Sequence, residues 1–245
     1  MPEANPIRPT TPEAIQLAKS LLRTSRYGAI AVFEAATGRP LASRVAVATD
    51  VNGTPLILVS GLAAHTPGLL ANPACSLLLG EVGKGDPLAH ARVTLHCQAR
   101  KVEKTDADYS RIHRRYLNHN PKGSLYVDLG DFAFFRLELE SASLNGGFGK
   151  AFNLTQDDLL YAASVSASFA EGEQKALDNL NENYALEIAH IARGLSKSDA
   201  LREQFKIVGI DPDGADITSG DLVLRHVFSA QPDSLREAVT TLTKR

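Results

Sequence analysis

Four side chains in the first half of the chain have the type and spacing to hold an anion: Arg44, Ser60, His65 and Thr66. Arg44 sits in the alternating run Ser43-Arg44-Val45-Ala46-Val47, where an extended strand would turn it away from the two valines. Its fork of donors can reach a phosphate or a ring carbonyl. On the sequence alone, a surface ion pair is the plainer role. Ser60 ends the apolar run Pro55-Leu-Ile-Leu-Val59, and a short polar turn leads to His65-Thr66, which reads as the start of a helix. A strand end running into a helix start offers unpaired backbone N–H groups, a natural seat for phosphate. The Ser60 and Thr66 hydroxyls would add donors, or would simply cap the turn.

Other spacings say less. Gly83-Lys84-Gly85 lacks the rest of a phosphate-loop frame, and Asp86-Pro87 follows it, so it reads as a plain loop. Asn145-Gly-Gly-Phe-Gly149 lacks the strand-to-helix context of a dinucleotide fingerprint. Asp211-x-Asp213-Gly214-x-Asp216 has neither the glycine nor the closing glutamate of a calcium loop and reads as a β-turn. His113 and His119 are too widely spaced for a zinc helix. No Gly-x-Ser-x-Gly elbow is present, and no carboxylate pair stands out for acid–base work. Cys75 and Cys97 form no Cys-x-x-Cys, which fits a reducing cytoplasm and two thiols serving as small apolar core groups.

Composition narrows the class. The chain has 245 residues, 44% hydrophobic and 22% charged, as ordinary globular domains do. A formal net charge of −2, with Lys and Arg scattered, excludes a nucleic-acid footprint. The longest apolar runs fall far short of a membrane span. Met1-Pro-Glu-Ala-Asn-Pro6 lacks the basic and apolar segments of a secretory leader and reads as a short frayed terminus.

The elements that must position the four side chains follow from period and punctuation. Thr11-Pro-Glu-Ala opens a helix, with Thr as N-cap and Pro in the first turn. Gly28–Glu34 and Leu41–Thr49 read as strands, and Asn52-Gly53 as a hairpin turn. Val93, Leu95, Cys97 and Ala99 alternate with polar residues, marking a strand with one buried face. Asp106–Leu117 reads as a helix and Phe132–Leu139 as the last strand of a barrel. After the Gly-rich stretch the pattern changes to helices and three short strands. Thr155–Asp158 has the form of a capping box, and Gln174–Leu195 reads as one long amphipathic helix.

The order strand, strand, Ser60-Gly-Leu-Ala-Ala-His65-Thr66, helix, strand resembles the flavin-binding split β-barrels of the pyridoxamine 5′-phosphate oxidase family, and most nearly their haem-utilisation branch. Arg44-Val45, Tyr126-x-Asp-x-Gly-Asp131-Phe132, Asn145-Gly-Gly-Phe and Gly209-x-Asp211-x-Asp-Gly-Ala carry the same resemblance, which runs from about residue 10 to 243. It implies an α+β fold: a split β-barrel over 1–148, of six to eight strands, followed by a small three-stranded α+β domain over 149–245. It also implies a cytoplasmic homodimer that binds FMN or a tetrapyrrole, and either flavin-dependent oxidoreductase or haem-degrading activity. Arg44 and Val45, Ser60 and Thr66, His65 at the rim, and Lys122 would be the cofactor contacts. Where that branch has a basic residue and Asn after His-Thr, this chain has Pro67 and Gly68. Where its second domain carries Met-Asn-x-Asp-His, this chain reads Leu180-Asn-Glu-Asn183-Tyr184. Three readings follow: an FMN-binding oxidoreductase-like protein linked to haem metabolism, a cofactor-free dimeric binding or regulatory scaffold, and a haem binder without flavin that uses His65, His90 or His96.

Overall fold

The computed structural model describes residues 7–80, 83–147, 149–196 and 204–244; the frayed terminus expected at residues 1–6 lies outside them. The chain divides into two compact units, Met1–Leu160 and Tyr161–Arg245. In the first, β1 (Ile7–Arg8) and α1 (Pro12–Thr24) precede β2 (Tyr27–Phe33), β3 (Pro40–Thr49) and β4 (Pro55–Ser60). Then come α2 (His65–Ala71), β5 (Ala74–Leu79), β6 (Arg92–Val102) and α3 (Tyr109–His119). β7 (Phe132–Asn145), β8 (Ala151–Thr155) and α4 (Gln156–Leu159) complete the unit.

The sheet order is β1-β8-β7-β4-β3-β2-β5-β6, and a further β6–β7 pairing closes six of these strands into an antiparallel barrel. Closure removes the open edges that would otherwise invite pairing with another chain. The alternation read from the sequence settles which face is inside. Ile30, Val32, Val45, Val47, Leu77, Val93, Leu95 and Leu137 are buried in the barrel core. A second apolar cluster forms outside the wall, where Ile112 and Tyr116 of α3 pack on Leu56, Leu58, Val102 and Phe134. Gln156–Leu159 begins with the capping box expected, and Thr11 caps α1 by accepting from the Ala14 N–H.

β8 and α4 follow the expected 148/149 break yet belong with the first unit. At the Gly-rich stretch the chain reverses tightly, with Gly146 N–H donating to Lys150 and Lys150 N–H to Gly147. It then returns antiparallel along β7, pairing Asn145 with Ala151 through Ser141 with Thr155.

α3 is tied to the β3–β4 hairpin by Asp50, whose carboxylate receives Arg111 Nε and Nη2 at 2.9 Å each and the Val51 N–H at 2.8 Å. Burial alone would raise the pKa of Asp50, but Arg111, with Arg115 nearby, holds it below the ordinary 3.8. A depressed carboxylate stabilises the fold above its unfolded pKa and loses that contribution as pH falls through its folded pKa. Asp50→Asn should therefore lower stability by about 1–3 kcal/mol near neutrality. The gap to wild type should close under strong acid. Urea midpoints of both proteins at neutral and at strongly acidic pH check this; a gap that persists in acid would deny the charge its role.

The second unit contains α5 (Ala163–Ala170), α6 (Glu173–Asn183), α7 (Ala185–Leu195), β9 (Lys206–Asp211), β10 (Gly214–Ser219), β11 (Leu222–Val227) and α8 (Leu235–Thr243). Its sheet order is β11-β10-β9. The single helix expected over 174–195 is two. Tyr184, at φ −128° and ψ 32°, breaks the run between α6 and α7. Leu177, Leu180, Ile188 and Ala192 are buried on either side of the break. Asn181 serves the edge of β9: its amide donates to the Ile207 carbonyl and accepts from the Ile207 N–H. Asp211-Pro-Asp-Gly214 is the expected turn, with Asp213 N–H donating to the Asp211 carboxylate at 2.9 Å. Among the described residues no helix is long and apolar enough to cross a membrane.

Candidate functional site

β3 and β4 are hydrogen-bonded only from Val47–Thr49 to Pro55–Ile57. Beyond that short ladder β4 continues against β7 as far as Ser60 opposite Phe132. The stretch of β3 left without β4 is bridged by α2, where His65 Nδ1 lies 3.0 Å from Ser43 Oγ. The helix can pack so closely on β2 because position 68 is glycine: a Cβ there would meet the Phe33 carbonyl oxygen at 2.5 Å.

The segment from Ser60 to Thr66 is closed upon itself. The Ser60 hydroxyl donates to the Asp131 carboxylate, and the Gly61 N–H donates to the Asp131 carbonyl at 2.6 Å. Leu62 N–H donates to Ser60 Oγ at 3.1 Å and Ala63 N–H to the Ser60 carbonyl at 3.1 Å. The Thr66 hydroxyl donates to the same carbonyl at 2.7 Å, and Thr66 N–H to Ala63 at 2.9 Å. These donors, which a phosphate would need, are used internally, and one of their acceptors is an anion. A unit negative charge held about 4 Å from Asp131 would be repelled by about 4 kcal/mol at an effective dielectric of ~20. Pro67 removes one further N–H from the helix start. As it stands, the segment does not fit the phosphate of FMN.

Next to it lies a cavity of about 510 Å³ whose lining includes Leu58, Val102, Phe132 and Phe134, with Thr66 and Asp131 on the Ser60 side and Lys101 and Lys104 on the other. Lys101 Nζ is 2.9 Å from Glu103. Among the described residues Lys104 has no acid partner. Tyr109 also lines the cavity; burial, and then the Asp128 carboxylate, push its phenol pKa up, so it stands as a neutral hydroxyl.

The expected residues thus separate into groups. Ser60 and Thr66 meet each other and Asp131. His65 is buried beneath them at 5% exposure; burial lowers its pKa, and its Nε2 has no hydrogen-bond partner among the described residues. The Val45 side chain belongs to the barrel core, leaving only its backbone for a ligand. Arg44 lies exposed on the outer face, its guanidinium carbon 5.2 Å from the centre of the Tyr27 ring. Lys122 is exposed on the short helical turn Pro121–Leu125 and does not line the cavity. His90 packs on the 83–84 loop and His96 beside Ser76, so the three histidines do not converge. Among the described residues no group of three or more His, Cys, Asp or Glu is placed to hold a metal ion.

Residues 15–145 match the family model described as pyridoxamine 5′-phosphate oxidase. The chain belongs to that family. It is 37% identical over 137 residues to the chloroplastic heme oxygenase HOZ of Arabidopsis thaliana, a stretch that is 55% of this chain and 40% of that relative's length. Over 97% of this chain and all of the other, the fold resembles that of a protein of unknown function from Agrobacterium tumefaciens, with 27% identity and a TM-score of 0.80. A heme binding protein from Mycobacterium smegmatis shares the fold over 97% of each chain, at 24% identity and a TM-score of 0.56. The two likenesses in fold span both the closed barrel and the three-stranded second unit.

Proposed function

We propose that this family member binds a tetrapyrrole, haem foremost, in the cavity beside Ser60 and Asp131. The observation that carries the reading is the pairing of a phosphate seat closed by its own aspartate with an apolar, aromatic-walled cavity bearing lysines. Leu70, which is exposed, and the half-buried Phe132 would take the ring edges, where removal of their apolar surface from water supplies the affinity. Lys101 and Lys104 would take the carboxylate arms. The heme oxygenase relative, similar over 55% of this chain, supports the same ligand class. When bound, the iron porphyrin would supply the redox chemistry; the chain supplies dry walls, cations and the neutral Tyr109 hydroxyl as a donor.

Titration of the purified protein with haem tests this. A saturable Soret shift is expected, weakened about tenfold or more when Lys101 and Lys104 are both replaced by alanine. No shift with the wild-type protein would end the haem reading.

A second reading, FMN, rests on a separate observation: Arg44 is exposed beside Tyr27 and has no acid partner among the described residues. A fork of donors next to an aromatic ring suits an anionic flavin. Here Arg44, the Val45 backbone and Lys122 would make the contacts, in a homodimer that brings a second chain to this outer face. Saturable flavin binding that falls at least tenfold in Arg44→Ala is the expected result if flavin is the ligand; equal binding by the variant would remove Arg44 from the site. A protein that answers neither haem nor FMN would be a dimeric scaffold, and its mass in solution would then be the informative quantity.

A further inference from the structure

β2 and β5 are hydrogen-bonded only from Ala29 opposite Leu78 to Ala31 opposite Ser76. Past that point Val32, Phe33 and Pro40 on one side, and Ala74 to Ser76 on the other, border a cavity of about 320 Å³. Cys75 and Cys97 both line it. They are also directly opposite each other in the antiparallel β5–β6 ladder. Opposed residues in such a ladder share a face, with Cα atoms about 4.5–5.5 Å apart. A disulfide needs a Cα separation of roughly 4.4–6.8 Å, a range that includes this one. On its other side β6 pairs His96 with Ser141 and Cys97 with Leu139, so Glu140 of β7 is the extra residue of a bulge opposite Cys97.

We propose that Cys75 and Cys97 are a working dithiol, which a small disulfide entering this seam converts reversibly into a cross-strand disulfide. Cys75, at 8% exposure against 1% for Cys97, is the residue reached first. Its thiolate attacks one sulfur of the incoming R–S–S–R, forming a mixed disulfide and expelling RS⁻. Cys97 then loses its proton and attacks Cys75 Sγ, expelling the second RS⁻. In sum, two Cys–SH and one R–S–S–R give one Cys75–Cys97 disulfide and two R–SH, with two electrons passing to the reagent. Glu140 borders the cavity and favours a neutral reagent over an anionic one. Burial, and then Glu140, push the Cys75 thiol up to about 11, and burial pushes Cys97 further still. The thiolate is therefore scarce near neutrality, and the rate should climb about tenfold per pH unit below that value.

The test uses the native protein and bis(2-hydroxyethyl) disulfide at mildly alkaline pH. Expected are joint loss of both thiols, a mass lower by two hydrogens, a Cys75–Cys97 peptide link and full reversal by dithiothreitol. The closed loop should also raise the melting temperature by several degrees. Cys97→Ser should instead stop at one hydroxyethyl adduct on Cys75. The proposal is overturned if both thiols survive until the protein is unfolded, if the wild type stops at a mixed adduct, or if the new bond joins two chains. Since the peptide map is made on the wild type, the proposal stays open to refutation even where Cys97→Ser folds poorly.

Discussion

Replacing Arg225 with methionine should destabilise the second unit by about 3–5 kcal/mol, the loss expected when one partner of a buried ion group is removed. Arg225 donates from Nη1 to Asp211 and Asp216 at 2.7 and 2.8 Å, and from Nη2 to Asp211 at 2.7 Å. Both carboxylates are fully buried, on β9 and β10. Burial alone would lower the pKa of Arg225, yet the two aspartates lift it well above the ordinary arginine value. Without the guanidinium, two buried carboxylates would lose the cation that bonds them both, and their pKa values would rise. A raised carboxylate pKa favours the folded state only below its unfolded value, so the deficit of the variant should shrink as pH falls. Arg225→Met combined with Asp216→Asn should recover part of the loss, because one of the two buried charges goes with it. Amide exchange of β9–β11 in the full chain reads the local opening free energy. Unchanged protection in Arg225→Met would show that the triad adds nothing to stability.

How far the sequence revealed all this depended on whether the signal was local. The alternation of Val93, Leu95, Cys97 and Ala99, the Asn52-Gly53 turn and the Thr155 capping box each depend on neighbours in the chain, and each appears where expected. The Gly-rich stretch at 145–149 was legible as a change of pattern but not as a hairpin, because nothing local says that residues 151–155 pair back onto β7. Tyr184 ends α6 although the apolar stripe runs on through it, since periodicity is blind to a backbone break that keeps the face aligned. In the candidate site, Ser60, His65 and Thr66 were visible as a strand end entering a helix. Asp131 is visible in the sequence only within the Tyr126-to-Phe132 stretch that resembles the family; its bond to Ser60 spans 71 positions and leaves no trace in spacing. Lys101, near the end of β6, and Lys104, just past it, lie in the charged run Lys101-Val-Glu-Lys104, a signal that was available, but their cavity exists only once β6 and β7 pair.

Substituting Gly68 with asparagine, the residue the resembled branch carries there, should lower stability by about 2–4 kcal/mol, more than the usual 1–3 for overpacking because the obstacle is backbone. The added Cβ would stand 2.5 Å from the Phe33 carbonyl oxygen and 3.1 Å from Val32 Cγ2. The nearer obstacle is backbone, which no rotamer change can move, so α2 must shift off β2. That shift would strain both contacts that fix the loop, His65 to Ser43 and Thr66 to the Ser60 carbonyl. Gly68→Ala isolates the steric part: alanine gains roughly 1 kcal/mol of helix propensity over glycine, so any net loss belongs to the collision. Pro67 is exposed, and Pro67→Lys should change stability by less than about 0.5 kcal/mol. The two departures from the family's loop would then differ in kind. Position 67 is free to regain a cation, whereas position 68 is locked by the seating of α2 on β2. Urea denaturation of the three variants decides between these outcomes. If Gly68→Asn melts with the wild type, α2 has room to move, and the closed form of the Ser60–Thr66 loop is one of several open to this chain.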